Sequence, residues 1–349
     1  MYKVKGEDVK YTDEQLDDGV KNNIFTNEQV SQFREYVKNS NNQITRFHKV
    51  LYYGGALLII SAMTWLMKSS WDSFGALGIS FISAAYIVVF LVAGYFVFFK
   101  KKLEVAGGLL FAIPIAVTPL FVFSLLRFFE FWPASWAYDD YYVWVKGKWV
   151  ILELSAILVA LPILIKTKFP FHVFLIAGSL WFFSMDIVPI IYKTTQITWT
   201  QRAFISQIFG LCMIGIGYFA DIKFKKDYAF WMYLFGLITL VSGLSVFYNA
   251  DIFKFILFGI ANILLILFSL FINRNVFLVF GAIGLVEFLS RLSWKFFESS
   301  LYFSFALTLI GLLLIFSGIF FQKNKKKIEE NIINKLPQVI LDLRPKRYL

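Results

Sequence analysis

The feature that most constrains this chain is a long succession of apolar runs punctuated by short basic turns. The runs fall at 50–67, 74–99, 104–126, 149–165, 170–190, 203–220, 229–248, 255–272, 276–290 and 301–321. A helix rises about 1.5 Å per residue, so ~20 apolar residues cross a hydrocarbon layer roughly 30 Å thick. A soluble helix of that length would interrupt its apolar run with a polar face. Only 16% of the residues are charged and 58% are hydrophobic, where a soluble domain carries ~25% charged residues. The alternation of a transmembrane barrel is absent. The sequence predicts an all-α, polytopic transmembrane helical bundle of about ten spans, built of helix hairpins.

The net charge of +11 does not point to nucleic acid, because the basic residues cluster at the ends of apolar runs, as orientation signals do. With a cytosolic amino terminus, the dense clusters KKK (100–102), KTK (166–168), KFKK (223–226), Arg274 and KNKKK (323–327) all fall inside. Scattered charges such as Lys68, Lys193 and Lys254 fall outside. Both termini are expected in the cytoplasm. The single cysteine, Cys212, excludes an intramolecular disulfide. The two histidines, His48 and His172, belong to no group with metal-ligand spacing. The hydrophilic first 48 residues carry no cleavable signal peptide, so the first apolar run should act as an uncleaved anchor.

Three regions are expected. Residues 1–48 form a small cytosolic helical hairpin, 49–321 the transmembrane domain, and 322–349 a basic cytosolic tail. In the first, YTDEQL (11–16) and FTNEQV (25–30) are near copies with capping-box spacing, Thr12 with Gln15 and Thr26 with Gln29. Leu16, Val20 and Ile24 share one helical face; Val30, Phe33 and Val37 share another. These stripes suit packing on each other, a protein partner at residues 1–40, or a simple amphipathic lead-in to the bilayer. In the second region, several basic turns lead into an aromatic or aliphatic stretch and then a glycine, as in KFKKDYAFWMYLFGL. Glycine there allows close helix approach. The connection 127–148 is rich in tryptophan and tyrosine, including Trp132, Trp136 and Trp149. An interfacial aromatic belt accounts for these rings, and a carbohydrate-stacking platform is the sharper alternative.

Charges embedded in apolar runs are candidates for function, because their desolvation must be offset. Asp186 sits in SLWFFSMDIVPIIY (179–192), about 24 Å along a helix that begins near Pro170. Glu153 lies about 6 Å beyond Trp149 on the preceding span, so both carboxylates reach the outer part of the membrane. Arg127 ends the third span on that side and Arg202 begins the sixth. Glu287 and Arg291, four residues apart, can pair on one helix face. Together these six residues are the candidate substrate- or ion-binding set. Two readings stand open: a polar pocket for a headgroup, small solute or coupling proton, or an ion-pair network that fixes helix positions. Pro189 should break the helix beside Asp186, and Pro114 and Pro119 should do the same in the third span. Asn262 reads as interhelical glue and His172 as an interfacial residue. No phosphate-binding loop, metalloprotease motif or nucleophile elbow occurs. No catalytic residue, cofactor or metal is expected, and the chain does not read as an enzyme.

Three segments resemble a widespread set of uncharacterised bacterial multi-pass inner-membrane proteins. They are WVKGKWVILELSAILVALPIL (144–164), SLWFFSMDIVPII and DYAFWMYLFGLITLVSGL (227–244). The similar patterns fall on Trp144, Gly147, Trp149, Glu153 and Leu154; on Ser179, Leu180, Trp181, Ser184, Met185, Asp186 and Pro189; and on Phe230, Trp231, Tyr233, Leu234, Phe235 and Gly236. The first span, with Gly55 to Leu58 and Trp71-Asp72, is also similar to the opening of predicted membrane proteins of unknown function. The resemblance implies a bacterial inner-membrane location and no established activity. Two functions remain in play: a transporter or lipid-handling component with an outer-leaflet polar pocket, and a non-catalytic accessory or scaffold subunit docking a partner through its amino-terminal hairpin.

Overall fold

The computed structural model describes residues 2–4, 7–9, 13–22, 24–132, 149–194, 196–247 and 252–297, with single positions between 305 and 323. The chain divides into two compact units, Met1–Ser61 and Ala62–Leu349.

The first unit opens with an antiparallel pair, β1 (Tyr2–Val4) and β2 (Glu7–Val9), with Tyr2 opposite Val9. Strands of three residues are too short for alternation to be read in the sequence. Helix α1 (Asp13–Lys21) follows, and α2 begins at Asn27. The capping box at α2 is formed: the Thr26 N–H donates to Gln29 Oε1 (2.9 Å) and the Gln29 N–H to Thr26 Oγ1 (3.2 Å). The copy at Thr12 lies outside the described residues. Leu16 and Val30 are buried, and Arg34 donates to Asp17 at 3.0 Å. Ile24 departs from the expected stripe. It lies beyond the end of α1 and is exposed, because the chain has already turned there, with the Ile24 N–H donating to the Gly19 carbonyl.

Helix α2 is assigned over Asn27–Tyr95, with helical backbone interrupted only at Gly75 (φ 62°, ψ −177°). A residue with a side chain would be strained there. A π-helical turn, Phe96–Lys100, ends this stretch. The remaining helices are α3 (Glu104–Phe128), α4 (Trp149–Thr167), α5 (His172–Asp186), α6 (Val188–Tyr192), α7 (Trp199–Lys223), α8 (Ala229–Phe247), α9 (Ile252–Ile272) and α10 (Asn275–Phe297). Among the described residues, seven helical stretches are long and apolar enough to cross a membrane: Ser73–Lys100, Glu104–Phe128, Trp149–Thr167, His172–Tyr192, Trp199–Lys223, Ala229–Val246 and Asn275–Leu292. The runs expected at 50–67 and 255–272 correspond to the shorter apolar stretches Leu51–Ala62 and Phe253–Ser269. Most of the run at 301–321 lies outside the described residues. Leu158, Ile165, Leu211 and Phe219 are exposed large hydrophobics, as side chains facing lipid would be.

Helices adjacent in the chain pack together, most closely α7 on α8. The reason is a seam of small residues at every seventh position. Ala203 and Gly210 on α7 meet Gly243 and Gly236 on α8 in antiparallel order, and Gly217 lies further on against Tyr233 and Met232. A Cβ on Gly210 would fall 2.8 Å from the Gly236 carbonyl oxygen, and one on Gly243 would fall 2.8 Å from that of Ala203. The two backbones touch, which a larger residue would forbid. The α9–α10 contact is similar. Gly281 faces the Asn262 carbonyl, and a Cβ on Gly284 would collide with the Asn262 amide. Among the described residues the fully buried Asn262 donates within its own helix, to the Phe258 carbonyl at 2.8 Å, and its amide fills the space left by Gly284.

The prolines act more gently than expected. Helix α3 runs unbroken through Pro114 and Pro119, and Thr118 Oγ1 bonds back to the Pro114 carbonyl (2.7 Å). Pro189 produces a one-residue hitch at Ile187, whose carbonyl accepts from both Ile190 and Ile191. Helical backbone then resumes, because Pro189 occupies the first turn of α6, where its missing N–H costs nothing.

Candidate functional site

Polar side chains gather at the two ends of the helices. At the end where α4 begins, Glu153 sits one turn inside α4 and is only 8% exposed. Asp186 closes α5. The two carboxyl groups neighbour each other, and Arg202 stands near enough to Asp186 for its charge to act on it. Arg202 is positioned by the start of α7, where Thr198 and Gln201 form a reciprocal capping box (2.9 and 3.3 Å). Among the described residues no donor reaches Glu153 Oε2. A buried carboxylate oxygen without a donor is costly.

The other expected site residues divide between two places. Glu287 and Arg291 pair within α10 (3.0 Å), and Ser245 of α8 donates to the second Glu287 oxygen (3.0 Å). That arrangement ties α8 to α10. Arg127 occupies the last turn of α3 and is half-buried; the same helix contributes Phe123 to a cluster with Trp132 and Leu152. Trp132 is not an interfacial ring. It is 2% exposed and packs edge-on against Phe123 and Trp149, with centroids 5.1 and 5.7 Å away. The remaining aromatic residues of the 133–148 connection lie outside the described residues.

Among the described residues, the opposite, lysine-rich end holds the most completely bonded charge cluster, built on Asp221 and Asp227, which were not among the expected site residues. Arg274 lies in the turn between α9 and α10 and is buried (side chain 8% exposed). Its Nε donates to Asp221 Oδ2 at 2.9 Å, and its Nη2 also bonds Asp221 Oδ1. Nη1 and Nη2 reach the two oxygens of Asp227 at 3.0 and 2.9 Å. The Arg274 guanidinium also stands 5.9 Å from the centre of the buried Tyr233 ring. Burial alone would weaken its protonation, but the hydrogen bonds from Arg274 to Asp221 and Asp227 outweigh this and raise its pKa. The signal was present in the sequence: the KFKK turn has an acid on either side, Asp221 and Asp227, and Arg274 stands in the next turn on the same side.

Three further ties join this end. Lys226 Nζ and the Tyr228 hydroxyl both donate to the Lys168 carbonyl (3.2 and 2.9 Å). Lys226 also approaches Glu104 at 3.8 Å. Burial raises the Tyr228 pKa. His172 is fully buried, not interfacial. Its Nε2 meets the Gly108 carbonyl at 2.8 Å and its Nδ1 meets Thr167 Oγ1 at 3.2 Å. It links α5 to α3 and to the end of α4.

Among the described residues no group of three or more His, Cys, Asp or Glu is placed to hold a metal ion. No family model matches this chain, and no curated protein or solved structure matches it.

Proposed function

We propose that this multi-pass membrane protein is a transporter or lipid-handling component, and that Glu153, Asp186 and Arg202 form its working site. One observation carries the reading. The Glu153 and Asp186 carboxyl groups neighbour each other, and among the described residues no donor reaches one oxygen of the buried Glu153. Such a group calls for a compensating positive charge, supplied by a proton or by a cationic group on a solute or lipid headgroup. The lysine-rich end, tied by His172, Lys226 and Arg274, would serve as the static end of the structure. Ten spans, counting the runs at 50–67, 255–272 and 301–321, would place both termini on the lysine-rich side. That side is cytoplasmic by the distribution of lysine and arginine. The resemblance of the central segments supports a bacterial inner membrane.

The test is proton movement in proteoliposomes under an imposed pH gradient, read with an internal pH-sensitive dye. Asp186→Asn and Glu153→Gln should each abolish the flux while leaving extractable protein abundant. Unchanged flux accompanied by lower thermal stability would make the cluster an ion-pair network instead. A second reading has its own support: residues 1–61 form a separate compact unit with Ile24 and Phe25 exposed beside Asp17, Asp18 and Glu28. An accessory subunit would lose a co-purifying partner when residues 1–40 are deleted. A solitary protein under mild extraction would count against it.

A further inference from the structure

We infer that the lysine-rich end of the second unit holds an anionic phospholipid, with its phosphate at Lys100–Lys102, Lys166 and Lys168. The inference rests on the membrane reading alone and is independent of the Glu153 site. Three observations lead to it. The first is charge. Lys100, Lys101, Lys102, Lys166, Lys168, Lys223, Lys225 and Lys226 are all exposed at this end. Of the acids near them, Asp221 and Asp227 are already engaged by Arg274 and Glu104 by Lys226.

The second observation is convergence. The turn after α2 and the end of α4 are far apart in sequence, yet Lys166 Nζ stands 5.8 Å from the centre of the Phe99 ring, next to Lys100 in the chain. Phe99 and Phe98 in turn lean on Phe111 of α3. Gly107 has no side chain, and a Cβ there would press on the Phe98 backbone at 2.6 Å. Lys168 is fixed through its carbonyl by Lys226 and Tyr228. Its backbone, like that of Lys102, sits in the left-handed region (φ 51° and 56°). The lysines therefore rise from a braced frame of backbone and rings.

The third observation separates a lipid from any soluble anion. Exposed apolar side chains adjoin the ammonium groups in sequence: Phe96 and Leu103 flank the first lysine turn, and Ile165 precedes Lys166. A phosphate with acyl chains satisfies both surfaces at once, whereas inorganic phosphate or nucleic acid leaves the apolar ledge uncovered. Basic residues at the membrane surface attract anionic lipids by about fivefold in affinity per lysine.

The experiment uses the full chain purified in neutral detergent, with lipid binding counted by native mass spectrometry. Phosphatidylglycerol and phosphatidylcholine are supplied at equal concentration. Phosphatidylglycerol should be retained preferentially. Lys166→Gln and Lys168→Gln together should weaken its retention by roughly 25-fold if each lysine acts independently. Lys193→Gln, at the opposite end, should leave it unchanged. Equal retention of the two lipids would overturn the inference. So would an equal loss in Lys193→Gln, or full displacement by inorganic phosphate at the same concentration, since that would mark a general anion site. Should the double variant fail to fold, Lys100→Gln with Lys101→Gln tests the same headgroup contact from the other turn.

Discussion

Replacing Arg274 by Gln should be among the most damaging single changes outside the spans. The side chain makes four hydrogen bonds to two carboxylates. Asp221 has no exposed side-chain surface, whereas Asp227 is 40% exposed. Water can therefore rescue Asp227 but not Asp221. Removing one partner of a buried pair costs roughly 3–5 kcal/mol, because the remaining charge stays uncompensated. Arg274→Gln belongs in that range. Asp221→Ala leaves Arg274 one carboxylate partner, so its cost should lie near the lower end, about 3 kcal/mol. Asp227→Ala removes the partner that water already reaches and leaves Arg274 its bonds to Asp221, so it should cost about 1 kcal/mol. The two large changes should not add, since with Asp221 gone the loss of Arg274 strands only the half-exposed Asp227. Their coupling should be about 2 kcal/mol, within the range seen for residues in one network. Thermal unfolding in detergent, followed by tryptophan fluorescence, gives the ranking directly. At roughly 2 °C per kcal/mol, Arg274→Gln should unfold at least about 6 °C lower and Asp227→Ala about 2 °C lower. Equal losses for Asp221→Ala and Asp227→Ala would refute the burial argument. Strict additivity of Arg274→Gln and Asp221→Ala would refute the clamp.

Other expectations are more local. Gly236→Val should lower stability by about 1–3 kcal/mol through overpacking, because its Cβ would meet Ile214 and the Gly210 carbonyl; the same change at Gly215, which has open space around it, should be nearly silent in the same melt. His172→Phe should cost about 1 kcal/mol by removing the hydrogen bond to the Gly108 carbonyl, measured against the milder His172→Gln. Gly284→Ala should be partly rescued by Asn262→Ala, since the clash is with that amide; a double variant no better than the single would argue against the contact. Thr26→Ala should cost about 1 kcal/mol, seen as faster hydrogen exchange at the first turn of α2 with the spans unaffected.

The candidate site was legible to different depths. The pairing of Glu287 with Arg291 followed from four-residue spacing on a helix, and Thr26 with Gln29 from three-residue spacing; both are local geometry. That Glu153 and Asp186 approach each other rests on a depth argument, which fixed their height but not their azimuth around the helices. His172 looked interfacial because its chain position is near a turn, yet its partners are Gly108 and Thr167, one of them on a helix far away in sequence. Arg274 looked like one more basic turn residue for the same reason. Trp132 looked like a belt residue because tryptophan favours interfaces, and packing against Phe123 and Trp149 overrode that preference.

What the sequence alone determined is the solvent. Runs of apolar residues without polar faces cannot be hydrated, and a backbone in hydrocarbon must bond to itself, so helices long enough to cross were dictated before any packing was known. The tertiary structure decided which polar groups meet. Hydropathy has no angular information about a neighbouring helix, and the contacts of Asp221, Arg274, His172 and Glu153 depend on rotation and separation. Those were set in part by where glycine and alanine let α7 and α8 touch.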